Sequence, residues 1–103
     1  MRSKVSYIEH SLKIVDLDED GTAEVLFLYE IAPRKLAPVT LKLMLHSKGK
    51  KLSIRGTVPR REEDKQKYQM QVDPLFSKYP ERFLHYATQQ WLQAIDTHYK
   101  IEK

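Results

Sequence analysis

Residues 14–31 read IVDLDEDGTAEVLFLYEI, an acidic stretch closed by a glycine and set between two apolar segments. Upstream, Ile8, His10, Leu12 and Ile14 fall at every second position; downstream, Ala23, Val25, Phe27, Tyr29 and Ile31 do the same. A period of two puts side chains on one face of an extended chain, so both segments are expected to be strands. Leu26 and Leu28 make the second strand apolar on its other face too, which predicts a central strand covered on both sides for part of its length. Asp20-Gly21 is a strong hairpin-turn signal, so the two strands should pair with the acidic residues at the tip.

Outward from this hairpin, Pro33 and Pro38 bracket a connection that no central strand could contain. Val39, Leu41, Leu43 and Leu45 then form a third alternating run, and residues 46–50, HSKGK, read as a turn. Leu52, Ile54 and Val58 give a fourth strand in which Gly56 marks a bulge or a close backbone approach. After a polar excursion at residues 59–67, Tyr68, Met70 and Val72 give a fifth. Connections this short favour an antiparallel meander.

Past Asp73-Pro74 the period changes. Phe83, Leu84, Ala87, Trp91, Ala94, Ile95 and Tyr99 recur at spacings of three and four, with Pro80 suited to the first helical position. This predicts an amphipathic C-terminal helix of about five turns, with Trp91 as its core anchor. A sheet with one apolar face and a helix with one apolar stripe bury each other. The expected fold is therefore α+β: an antiparallel β-meander of about five strands packed against one C-terminal amphipathic helix, in a single domain spanning residues 1–103.

Composition agrees. The 103 residues are 41% hydrophobic and 31% charged, the balance of one globular domain rather than a disordered chain. No apolar run approaches the roughly 20 residues that span a bilayer, and the first residues, MRSKVSYIEHSLK, lack the apolar core of a signal peptide. The absence of cysteine excludes disulfides, thiolate metal sites and a cysteine nucleophile.

The net charge of +4 conceals segregation along the chain. Residues 16–30 hold six acids and no Lys or Arg, whereas residues 34–67 hold eleven basic residues against three acids. The basic segment suggests an anion-binding module for nucleic acid or an acidic glycan, with Arg34, Lys35, Lys48, Lys50, Lys51, Arg60 and Arg61 as its cations. However, Lys and Arg alternating with apolar residues also describe the solvated face of a half-buried strand. No RNA or DNA motif accompanies the charge, so nucleic acid is not the expected partner, and no protein or glycan partner is specified.

The acidic stretch spells DxDxDGxxE: Asp16, Asp18, Asp20, Gly21 and Glu24. A hard cation such as Ca2+ takes six to eight oxygens at about 2.3 to 2.6 Å, and alternating carboxylates on a tight loop can converge on one. The candidate ligands are Asp16, Asp18 and Asp20 through their side chains, Thr22 through its carbonyl, and Glu24 directly or through water, with Glu19 pointing outward. An EF-hand is rejected, because Phe27 stands where that motif needs a bidentate Glu and the flanks are strands, not helices. The alternative is an acidic hairpin with no metal. Two carboxylates held about 4 Å apart repel by roughly 4 kcal/mol at an effective dielectric near 20, so a metal-free loop has to splay.

The loop is similar to the strand-loop-strand calcium loop of FG-GAP and integrin-type repeats, in which DxDxDG opens onto a hydrophobic strand; one copy is not a propeller. On a longer scale, VDLDEDGTAEVLFLYEI, APVTLKLMLHSKGKKLSIRGT and FLHYATQQWLQAI resemble, in that order, a bacterial cell-envelope family labelled as surface polysaccharide biosynthesis proteins. The resemblance covers most of residues 15–95 and implies an exported, non-enzymatic protein of the periplasm, cell envelope or secreted fraction. Such an origin would require a leader to have been removed. In that family a Cys often stands in the segment matching residues 31–37, and IAPRKLA has none.

Catalysis finds little support. His10, His46, His85 and His98 are scattered without HxxxH or HExxH spacing. Glu81 and His85 lie four apart on the expected helix, the spacing of an ordinary surface pair. There is no GxSxG, no phosphate loop, and no second acidic motif to complete a Mg2+ site.

Overall fold

A computed structural model describes residues 4–33 and 37–99. The strands are β1 (Lys4–Tyr7), β2 (Lys13–Val15), β3 (Glu24–Ala32), β4 (Val39–Ser47), β5 (Lys50–Val58) and β6 (Gln69–Val72), followed by the helix α1 (Glu81–His98). They form one antiparallel sheet in the order β1-β3-β4-β5-β6, with β2 paired to β3 beyond the end of β1. The α+β fold and its meander are as expected.

Register puts leucine against leucine on the inner face. Leu26 pairs with Leu45 and Leu28 with Leu43; Leu43 and Leu45 then pair with Ile54 and Leu52. All six are essentially inaccessible to solvent. α1 packs over β4 and β5, placing Phe83, Ala87, Trp91 and Ala94 against this layer. Full burial of such side chains stabilises by roughly 1.5 to 3 kcal/mol each, and here it closes the centre of the inner face. Trp91 is fully buried, and its indole Nε1–H donates to the Tyr68 hydroxyl at 3.0 Å, so its polar edge is satisfied.

Gly56 is a close approach rather than a bulge. It pairs in register with Met70, and a Cβ there would lie 1.9 Å from the Gln69 carbonyl oxygen. Pro80 is the N-cap of α1, one residue before the first helical position expected for it, and Tyr99 is the C-cap. The polar excursion contains a 3-10 helix, Glu62–Lys67, and Asp73 accepts from the Leu75 amide to cap a second, Pro74–Lys78.

Two strand assignments need correction. The alternation from Ile8 to Ile14 is not one strand: residues 8–12 stand opposite only Phe27 and Leu28. An odd number of extra residues reverses the facing of a strand, so Ile8 is buried while Ile14 is 69% exposed. The backbone groups of Leu28, which would be orphaned at this gap, are met locally. Ser11 Oγ accepts from the Leu28 amide at 2.9 Å and donates to its carbonyl, which also accepts from the Ile8 amide. His10 takes the turn with φ of 67°.

The second correction concerns β3. It is central, but it is not covered on both sides. Leu26 and Leu28 face α1, whereas Val25, Phe27, Tyr29 and Ile31 form a half-exposed outer face. Leucines paired with leucines on β4 define the core side, and aromatic alternation alone does not.

Candidate cation site

The loop joining β2 to β3 lies at a hairpin tip, closed by the pair Val15 and Glu24. Asp16 organises it: Oδ1 accepts from the Asp20 amide at 3.2 Å and Oδ2 from the Gly21 amide at 2.8 Å. Asp20 Oδ1 accepts from the Thr22 amide at 2.8 Å. Glu19 (φ 58°) is exposed, and the left-handed bend continues at Gly21 (φ 89°), where the missing Cβ removes the strain.

Glu24 forms the floor. As the first residue of β3 it points inward and is fully buried. Its Oε1 accepts from the Leu17 amide at 2.7 Å and its Oε2 from the Ser47 hydroxyl at 3.3 Å. Both partners are neutral, and among the described residues Glu24 enters no ion pair. Burying a carboxylate without a countercharge is costly.

Asp16, Asp18, Asp20 and Glu24 each place one carboxylate oxygen so that all four lie within 4.8 Å of one another, an arrangement that a metal ion can bridge. Oxygens sharing one calcium ion can be at most about 4.6 to 5.2 Å apart, and oxygens sharing one magnesium ion about 4.0 to 4.2 Å. The 4.8 Å spread lies within the pairwise range of the larger ion. Asp18 Oδ1 is buried and accepts no hydrogen bond. Thr22 is held by its amide to Asp20.

A positive charge already borders the cluster. Lys48 lies in the two-residue turn between β4 and β5, where Lys48 (φ 48°) and Gly49 (φ 79°) both adopt the left-handed geometry of a tight hairpin. Its Nζ contacts Asp20 Oδ2 closely and lies 3.5 Å from Asp18 Oδ2. The Lys48 ammonium, with the Thr22 amide, holds the Asp20 carboxyl down to about 2, and Asp20 in turn raises the lysine. Arg82, in the first turn of α1, donates to the Leu17 carbonyl at 3.1 Å and ties the loop to the helix.

Ser47 and Lys48 are the site residues that the loop motif does not reveal. A signal for them exists. In an antiparallel meander alternate connections lie at the same end of the sheet, so the HSKGK turn has to meet the acidic hairpin.

The basic segment does not come together. Arg34 and Lys35 lie outside the described residues. Lys48 is engaged as above, Arg61 pairs with Asp64 and Glu63, and Arg60 Nε donates to the Ala37 carbonyl at 2.7 Å. Lys50 and Lys51 begin β5 and Arg60 follows its end, a separation of roughly 30 Å along nine strand residues. Glu81 and His85 line an open groove between Pro74–Lys78 and α1. No helix among the described residues is long and apolar enough to cross a membrane. No family model, curated protein or solved structure matches the chain.

Proposed function

We propose that the domain is a non-enzymatic calcium-binding module of the cell envelope or secreted fraction, its ion held by Asp16, Asp18, Asp20 and Glu24 with the Thr22 carbonyl. The observation that carries the metal reading is the fully buried Glu24 carboxylate, which has only neutral partners and converges with three aspartates. A divalent cation would supply the missing countercharge and a partner for Asp18 Oδ1. The all-oxygen donor set selects a hard ion. The envelope assignment rests on the sequence resemblance alone.

The competing reading is a hairpin in which Lys48 is itself the permanent cation. The two differ in what Lys48→Met does. If calcium is the ligand, removing the lysine removes a competitor, so the variant should show a larger rise in melting temperature with calcium than the parent. If Lys48 is the permanent cation, the variant is destabilised and calcium changes nothing. Affinity should be weak, on the order of 10⁻⁴ to 10⁻³ M, because the bidentate Glu of the tighter sites is missing. Calcium at ten times Kd stabilises by about 1.4 kcal/mol, a shift of several degrees in a domain this size. Glu24→Gln should keep its hydrogen-bond geometry and lose the shift. No calcium-dependent shift in parent or Lys48→Met sinks the proposal.

A further inference from the structure

We infer that the outer face of the sheet binds single-stranded nucleic acid, with bases stacked on Tyr7, Phe27 and Tyr29 and phosphates held by Lys42, Lys51 and Arg55. Register assembles this face from residues far apart in sequence. One transverse row runs Tyr7, Tyr29, Lys42, Arg55 across β1, β3, β4 and β5, each residue directly paired with the next. At about 4.8 Å per strand it extends roughly 14 Å, from rings at one side to cations at the other.

Charge argues for an anionic occupant. The chain has 14 acids, yet none stands at an outward-facing position of the six strands. Among the described residues Lys42, Lys51 and Arg55 form no ion pair, so their charge is not spent within the protein. α1 covers the opposite face, and Tyr7 is 55% exposed.

The rings argue for bases. Phe27 stacks against Tyr29 at 6.2 Å and against His46 at 6.0 Å, while Lys42 Nζ lies 5.9 Å from the Tyr29 ring centre. These spacings are wider than the roughly 3.4 Å per-nucleotide rise of a stacked duplex strand. They suit splayed, single-stranded bases, whose π-faces a duplex would hide. A sheet carrying aromatic rings beside cations is a known solution for such strands.

The test is fluorescence anisotropy of a short labelled oligo-dT at low salt, with inorganic polyphosphate and heparin as charge-only probes. Saturable binding should weaken with salt at a logarithmic slope of about −2 for three phosphate contacts on a single strand. Tyr29→Val keeps a strand-forming residue and removes the ring, so it should weaken oligo-dT about tenfold while leaving the slope unchanged. Tyr29→Phe should restore binding. Lys42→Gln should reduce the slope by about 0.7. Emission of Trp91, buried on the other face, reports whether each variant is folded. Absence of saturable binding overturns the inference. So do equal affinity for heparin with no effect of Tyr29→Val, or a concentration-dependent dimer that excludes the oligonucleotide.

Discussion

The two faces of the sheet are built from the same strands and differ in almost every chemical respect. The inner face is leucine and isoleucine in paired rows, closed by Phe83, Ala87 and Trp91 of α1. The outer face mixes aliphatic side chains (Val5, Ile14, Val25, Ile31) with aromatic, basic, hydroxyl and amide ones and has no helix on it. Both are apolar enough on β3 to serve as a core. What separates them is β4, where Val39, Leu41, Leu43 and Leu45 face one way and Thr40, Lys42, Met44 and His46 the other. An ambiguous strand takes its inside from the unambiguous neighbour it pairs with.

The sharpest way to break this contrast is Trp91→Ala. The side chain is fully buried at the centre of the helix–sheet contact, so its loss should cost about 3 to 5 kcal/mol in urea denaturation, a large share of the stability of a small domain. A cost below about 1 kcal/mol would mean that α1 does not close the inner face.

A smaller effect probes the 3-10 helix that follows β5. Asp64, buried in the 3-10 helix, is bound by Lys67 at 3.0 Å and by Arg61 at 3.1 Å. These cations, Lys67 first, hold its carboxyl below the usual range. A carboxyl with a depressed folded pKa adds stability above its unfolded pKa of about 3.9 and loses it as pH falls through the lower folded value. Asp64→Asn should therefore lower the melting temperature at pH 7, and the gap should narrow below pH about 4. A gap that persists unchanged in acid would assign the loss to packing instead.

The smallest effect belongs to the outer face. Ile14 is 69% exposed, so Ile14→Ser should change stability by no more than about 0.5 kcal/mol in the same denaturation assay. A loss of about 2 kcal/mol would show that something covers this face in solution.

Much of this was legible in the sequence, and for identifiable reasons. The clear leucine alternation of β4, the three-four spacing of α1 and the Asp20-Gly21 turn specify the meander, the helix and the hairpin tip without tertiary knowledge. The four carboxylates converge as the loop pattern suggested. What local pattern could not reveal was parity and proximity. The reversal between Ile8 and Ile14 depends on Ser11 replacing ladder bonds across a gap, which no periodicity records. Lys48 reaches the aspartates only because two turns share one end of the sheet. The outer-face row exists only in register: Tyr7 and Tyr29 are 22 residues apart, and Lys42 and Arg55 belong to a different hairpin.

The gap in the first strand also makes the margin of the sheet a poor template for polymerisation. The three central strands are nine residues long, whereas the margins of the sheet carry four in β1, three in β2 and four in β6. A second sheet seeking to extend this one by backbone hydrogen bonds would find two short, offset templates at one margin, with a left-handed turn between them. At the other margin it would find a single strand of four residues. Short and interrupted margins are poor templates for fibre growth. Ser11, by letting residues 8–12 leave the ladder without stranding Leu28, helps make the β3 margin one of them.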